Sequence, residues 1–251
     1  MDLLPKDSLE IIRNADRIVF LTGAGISNES GIPTFRGEGG LWKNFRAEDL
    51  ATTSAFQKDP NLVWEWYDWR RGICQNAKPN AGHLTIASWQ KKSKSVSLIT
   101  QNVDGLHPRA GSHSLIELHG NIFKARCTKC SEKFHIIDDG LDKPGLKYCK
   151  LCESLLRPDI VWFGEEYNQT LLTKSWEYCK QSQVVFVIGT SANVSVPANL
   201  AQTAVRNGAI GIEINPEETN LTASMKHHFD GKSGEILPKI WNEVFPNEPI
   251  K

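Results

Sequence analysis

RIVFLTGAG, residues 17–25, is a compact apolar run that ends abruptly on a glycine turn. Hydrophobicity is continuous across residues 17–21 rather than alternating. That pattern predicts a strand covered on both faces, followed at Thr22-Gly23-Ala24-Gly25 by a tight turn. The arrangement recurs at residues 95–100 before Gln101-Asn102, at 184–188 before Gly189-Thr190-Ser191, and at 209–214 before Asn215-Pro216-Glu217. Strands buried on both faces make a parallel sheet flanked by helices, so an α/β fold of Rossmann type is expected, with a short amphipathic helix at 9–15 ahead of the first strand. Ligands of such sheets bind beyond the carboxyl ends of the strands. The polar residues closing each run are therefore candidates for one shared cleft.

Two stretches depart from this rhythm: 37–90, rich in tryptophan and helical in pattern, and 125–157, which holds two cysteine pairs. Both are read as a smaller lobe, a helical module plus a ribbon, set against a core made of 1–36, 91–124 and 158–251. No internal repeat and no Gly-, Ser- or Pro-rich linker interrupts the chain.

Composition narrows the function classes. With 40% hydrophobic and 23% charged residues, the chain of 251 residues has the make-up of an ordinary globular protein, not of a disordered one. Lysine plus arginine and aspartate plus glutamate both number 29, so no global field draws the protein onto nucleic acid or an anionic membrane. No apolar run approaches the roughly 20 residues of a membrane span. The N-terminal segment lacks a positive stretch leading into an apolar one and is too acidic for an organellar transit peptide. The expectation is a mature chain beginning near Met1 and a cytoplasmic location.

Four of the six cysteines fall as Cys127-x-x-Cys130 and, after 18 residues, Cys149-x-x-Cys152. Paired knuckles at this spacing supply the closed shell of four thiolates that structural zinc takes, with no open position for chemistry. The spacing favours a reducing compartment over a disulfide framework. Cys74 and Cys179 lie outside it and read as small apolar residues. Gly23-Ala24-Gly25 fits either a backbone approach to a pyrophosphate or a plain tight turn. A dehydrogenase fingerprint would need a third glycine where Asn28 stands.

Taken in order, GAGISNESGIPTFRG (23–37), TQNVDGLH (100–107), ELHGN (117–121), VWFGE (161–165), GTSANVSVPA (189–198) and INPE (214–217) resemble the motif set of the sirtuins. The double Cys-x-x-Cys lies where that family carries its zinc, and the resemblance runs from about residue 15 to 238. It implies a single catalytic domain over 1–251 that acts as an NAD-dependent protein-lysine deacylase, with NAD as co-substrate and one structural zinc. In the implied reaction nicotinamide leaves, the acyl oxygen of a modified lysine attacks the exposed ribose carbon, and water finally frees the lysine together with O-acyl-ADP-ribose. His119 is the implied base for a ribose hydroxyl, a task that suits a neutral imidazole of pKa near ~6.5. Asn102 and Asp104 are the other implied catalytic residues, and with Gln101 they would hold the nicotinamide-ribose end; otherwise they are turn residues capping a strand end.

The resemblance further implies that Ser27, Thr34, Phe35 and Arg36 belong to a loop over the cofactor, with Phe35 shielding the ribose from water. It puts Gly189, Thr190 and Ser191 on the phosphates and adenosine side, Asn215 and Glu217 on the adenosine ribose, and Ser233 against the adenine. The peptide is expected between Val161, Phe163, Gly164 and Glu165 on one side and residues 193–195 on the other, adding a strand by backbone pairing.

LVWEWYDWRR, residues 62–71, sets Tyr67 and Arg70 three apart on one helix face. A guanidinium gives a carboxylate paired, charge-assisted hydrogen bonds, and a phenol can add a third. Tyr-x-x-Arg, with the small Ala51 leaving room for a longer chain, resembles the branch of the family that removes succinyl and malonyl groups. The alternatives are a tryptophan-rich core helix with Arg70 solvated, a general deacetylase, and, from another class, a zinc-ribbon protein that binds nucleic acid. Zero net charge and the mixture of acids and lysines at 127–145 weigh against the last. The expected partners are NAD and acyl-lysine proteins or peptides, with a monomeric chain and no membrane or nucleic acid.

Overall fold

Residues 17–22 extend because every second side chain finds a covered surface on either side. Ile18 and Phe20 enter one apolar cluster, and Val19 and Leu21 enter another. The computed structural model describes residues 3–33, 45–92 and 95–251. Helix α1 (Lys6–Asn14) leads into β1 (Arg17–Thr22) and the one-turn α2 (Gly25–Asn28). Next come α3 (Ala47–Leu50), α4 (Thr53–Lys58), α5 (Pro60–Asn76), α6 (Ala81–Lys92) and β2 (Ser95–Thr100). The middle of the chain holds α7 (Leu106–Arg109), β3 (Leu115–Glu117), β4 (Gly120–Cys127), β5 (Lys133–His135) and β6 (Leu156–Ile160). The last third runs α8 (Gln169–Gln181), β7 (Val184–Ile188), α9 (Ser195–Arg206), β8 (Ile210–Ile214), β9 (His227–Phe229) and α10 (Ser233–Val244).

The main sheet has the order β3-β2-β1-β7-β8-β9, and every pairing in it is parallel. This is the doubly wound Rossmann order. One face is covered by α1, α6 and α10 through Ile12, Ile86, Trp89, Leu237 and Trp241, and the other by α8 and α9 through Cys179, Leu200 and Ala204. Because the chain leaves β1 on one side for β2 and returns on the other as β7, a crevice opens at the carboxyl ends of β1 and β7.

The smaller lobe has its own core. Asp59 caps α5, accepting the Leu62 amide at 2.9 Å with Pro60 in the first turn, and α5 then buries Val63, Trp64, Trp66 and Tyr67. These pack against Phe123, Phe134, Leu156 and Trp162 around the antiparallel sheet β5-β4-β6. The Trp64 indole donates to the Leu156 carbonyl at 2.9 Å, and Arg71 Nε donates to that of Ile122 at 3.0 Å, so helix and ribbon are bonded as well as packed.

The lobe boundaries differ from the sequence reading in two places. Helix α6, placed by its position within 37–90 in the helical module, lies on the main sheet, because Ile86 and Trp89 bury against Phe20, Phe186 and Trp241. Strands β4 and β6 both straddle the expected boundaries at 124 and 158, since each pairs within the small sheet.

Candidate active site

At the crevice three glycines bring two strand-end loops together backbone to backbone. A Cβ on Gly23 would lie 2.7 Å from the Gly189 carbonyl oxygen, one on Gly25 2.7 Å from Gly189 Cα, and one on Gly189 2.4 Å from the Ile26 nitrogen. Gly189 also holds φ +58°, a conformation that disfavours side chains. The amides of Gly23 and Gly25 donate to the carbonyls of Ile188 and Gly189 at 2.9 and 2.8 Å. The glycine turn thus serves close loop packing, and the amides of Gly23 and Gly25 are engaged within the protein.

Under this turn lies a buried polar network. Asn102 Nδ2 donates to the Gly23 carbonyl at 3.0 Å and to Ser27 Oγ at 3.1 Å, and Ser27 Oγ donates to Asp104 Oδ2 at 2.7 Å. The other carboxylate oxygen of Asp104 accepts the Leu106 amide at 2.9 Å. Burial pushes the Asp104 carboxyl up, opposed by those two hydrogen bonds and by the Arg70 guanidinium. Gln101 reaches across to Thr190 Oγ1 at 3.1 Å and ties the end of β2 to that of β7. Gln101, Asn102, Asp104 and Thr190 therefore converge, as their positions at strand ends predict, and Ser27 joins them from α2.

His119 follows β3, and its Nδ1 lies 2.8 Å from the Gln101 carbonyl oxygen. A carbonyl only accepts, so Nδ1 carries the proton and Nε2 presents its lone pair. Nε2 is 3.2 Å from the hydroxyl of Tyr167. Burial lowers the pKa of His119 below that of free imidazole, with a smaller upward pull from the Gln101 carbonyl. The neutral ring is thus favoured, in one tautomer, with Nε2 as its basic nitrogen. The His119 carbonyl accepts the Val161 amide at 2.9 Å, which fixes the 161–165 segment beside it.

Within that segment Phe163 is 56% exposed and Gly164 has φ +82°. The Phe163 amide donates to the Ala51 carbonyl at 3.0 Å. Glu165 has a structural engagement: its carboxylate pairs with both terminal nitrogens of Arg157 and accepts the Trp162 amide and the Thr53 hydroxyl, each at 3.0 Å. Trp162 Nε1 donates to the Tyr67 hydroxyl at 2.9 Å, and Ala51, Tyr67 and Trp162 share one apolar cluster.

The Sir2 family model matches residues 23–196. The chain is 49% identical over 231 residues to an NAD-dependent protein deacylase of Leptospira interrogans, covering 92% of this chain and 94% of that protein. The chain belongs to the Sir2 family. Among solved structures, a Sir2 homologue in complex with NAD superposes with a TM-score of 0.90 at 42% identity, covering 97% of this chain and 94% of the other. A Sir2 complex with a p53 peptide and NAD+ gives 0.84 at 31% identity, covering 95% and 97%.

For this Sir2 family member the four cysteines fit structural zinc. Their sulfurs all lie within 4.8 Å of one another, with Cys127–Cys152 at 3.5 Å and Cys130–Cys149 and Cys130–Cys152 at 3.7 Å. The edge of a tetrahedron with zinc–sulfur bonds of ~2.3 Å is about 3.8 Å, and thiolates are the donors zinc takes in closed sites.

The residues expected on the adenosine side are held less closely. Asn215 follows β8 with its Nδ2 donating to the Glu217 carbonyl at 2.7 Å, while the Glu217 side chain is exposed; Ser191 is exposed as well. Ser233 is buried at the start of α10, its hydroxyl 3.3 Å from Glu29, whose carboxylate also accepts the Gly234 amide at 2.8 Å. Thr34, Phe35 and Arg36 lie outside the described residues.

Tyr167 was missed, as was Asn80, which bonds the Ile26 carbonyl at 2.7 Å and Ser30 at 3.0 Å and so fastens the loop after β1 to α6. His83 and His107 were missed too, a buried pair with ring centroids 4.7 Å apart behind Thr22. Neither the apolar periodicity nor the strand ends single these residues out. The Pro-Asn preceding α6 is the one local signal, a helix-start pattern for Asn80.

Proposed function

We propose that this protein is an NAD-dependent protein-lysine deacylase whose preferred acyl groups are acidic, succinyl or malonyl. The observation that carries the activity is His119, whose proton is fixed on Nδ1 by the carbonyl of Gln101, leaving Nε2 as its basic nitrogen, next to the strand end where Ser27, Gln101, Asn102 and Asp104 meet. Bound NAD supplies the electrophilic ribose carbon that accepts the acyl oxygen. Asn102 and Asp104 orient the nicotinamide-ribose end, and His119 takes the proton of a ribose hydroxyl at Nε2. Thr190, Ser191, Asn215, Glu217 and Ser233 take the rest of the cofactor. Phe163 and Gly164 form one wall of the acyl-lysine passage, and the peptide pairs its backbone beside them and residues 193–195.

The acidic preference rests on Tyr67 and Arg70. Burial pushes the Tyr67 phenol up to about 12, so it stays protonated, and its oxygen already accepts from Trp162, which leaves its own proton to donate. Arg70 is half-buried, with its guanidinium 4.8 Å above the Trp66 ring, and desolvation is the main influence on it, opposed by Tyr67 and Asp104. A carboxylate at the end of an acyl chain can accept charge-assisted hydrogen bonds from Arg70 and one from Tyr67, which an acetyl group cannot do. Peptides differing only in acetyl, malonyl, succinyl or glutaryl lysine, incubated with NAD and read by mass spectrometry, test this. Arg70→Met is expected to lower desuccinylation by at least about tenfold more than deacetylation, the scale of one charge-assisted pair. Equal losses on both substrates, or a wild type that strongly favours acetyl-lysine, would make this a general deacetylase.

A further inference from the structure

The nitrogen that His119 must use as a base is already occupied by a hydroxyl. Nδ1 is committed to the Gln101 carbonyl at 2.8 Å, so the Tyr167 hydroxyl, 3.2 Å from Nε2, can only be the donor to that nitrogen's lone pair. An imidazole nitrogen has one lone pair. The substrate hydroxyl needs the same one to deliver its proton, and both cannot hold it at once.

We propose that the Tyr167 hydroxyl is a stand-in for the substrate hydroxyl, capping His119 Nε2 in the free protein and displaced from it when that hydroxyl binds. This rests on the reading in which His119 accepts a ribose proton. Tyr167 is built for such a role. It sits directly before Asn168, the cap of α8, whose side chain accepts the Leu171 amide at 3.0 Å. Its ring packs with the apolar cluster under α8 and α9, and the two rings lie 5.7 Å apart, centroid to centroid. Backbone and ring are thus anchored while the hydroxyl alone reaches the base. Burial raises the Tyr167 phenol, which keeps its proton for donation.

The charged groups of the neighbouring elements are engaged elsewhere. Glu117, the last residue of β3 before His119, bonds Asn121 and Lys124, and Asp104 bonds Ser27 and the Leu106 amide. In the reaction the ribose O–H bond breaks as the Nε2–H bond forms. The imidazolium then donates from both nitrogens, and Tyr167 keeps its own proton throughout, so it is a positioning residue rather than a base or acid.

Tyr167→Phe keeps the ring and removes the competitor. ADP-ribose carries the ribose hydroxyls without the leaving group and serves as the probe. Its affinity, by titration calorimetry, is expected to rise about three- to tenfold in the variant, the range of one modest hydrogen bond. KM for NAD in deacylation should fall by a similar factor, with kcat within about twofold. In the wild type the Tyr167 ¹³Cζ and His119 ¹⁵Nε2 resonances should shift together on adding ADP-ribose, a readout that needs neither the variant nor turnover. Unchanged ADP-ribose affinity in a folded variant, a fall in kcat at constant KM, or a Tyr167 resonance indifferent to ADP-ribose binding would overturn the stand-in role. Failure of the deacylase reading would look different: no acyl-lysine peptide would be turned over, while the resonances of the free protein would still report whether the two side chains are bonded.

Discussion

At His119 the chemistry is set by what surrounds one ring. Free imidazole titrates near ~6.5, and burial moves this group down, so the base-competent neutral form persists to lower pH than an exposed histidine would allow. Rate falls only as pH drops through the depressed value. The acid limb of the kcat/KM profile, which reports the free enzyme, is therefore expected below pH ~6.5. A limb at or above that pH would contradict the burial seen here. Gln101, Asn102 and Asp104 are nominated by a strand end and His119 and Ser27 by the resemblance, and all of these except His119 share one hydrogen-bonded cluster, with His119 bonded to the Gln101 carbonyl. Tyr167 is missed because a lone tyrosine in a polar stretch carries no periodic signal, and its meaning comes from the fold bringing residue 167 to residue 119. Nor does the sequence show why Gly23 and Gly25 must be glycine, since the neighbour that requires them is Gly189, far along the chain.

Elements differ in how openly the sequence declares them. Strands β2 and β7 are legible in the sequence, since β7 is continuously apolar, β2 carries Val96, Leu98 and Ile99, and both stop at polar or glycine residues. Helix α6 packs on the main sheet and not in the lobe that its place within 37–90 predicts. Its buried face includes His83, Thr85, Ser88 and Gln90 beside Ile86 and Trp89, so its pattern does not announce a sheet as partner. Strands β4, β5 and β6 went unread because short strands interrupted by zinc knuckles leave too few alternating positions. The zinc ribbon itself was plain from spacing, and its consequences reach the site: Cys127 and Cys149 are buried in the same cluster as Trp64, Tyr67 and Trp162. Replacing Cys149 by serine is expected to abolish the one zinc per chain, make the small lobe sensitive to proteolysis, and lower deacylation at least about tenfold by loosening the wall behind Tyr67. Metal analysis and limited proteolysis check this. Full activity after complete zinc removal would contradict it.

Across the whole molecule, the buried histidine pair couples folding to acidity. Desolvation pushes His83 down to about 4 and His107 well below its usual value, with His83 adding to the effect on His107. His83 Nε2 and His107 Nδ1 are buried without a hydrogen-bond partner among the described residues. In the unfolded chain both would take protons near pH ~6.5, so their neutral burial favours folding above that pH, and the stability is lost as pH falls from there toward 4. Each group contributes a slope of up to about 1.4 kcal/mol per pH unit in that window. Urea unfolding at pH 7, 6 and 5 is expected to show the decline, with a shallower slope in His107→Gln. A flat profile down to pH 5 would mean that the pair is not buried neutral.

The measurement that bears most directly on the central claim is nicotinamide release from NAD, in the presence of an acyl-lysine peptide, by the wild type and by His119→Ala. The wild type is expected to release nicotinamide and free lysine peptide in step. His119→Ala is expected to fold and bind NAD while losing about 10²-fold or more in peptide deacylation, the scale for removing a general base. Wild-type deacylation without NAD, or undiminished deacylation by His119→Ala, would contradict the account.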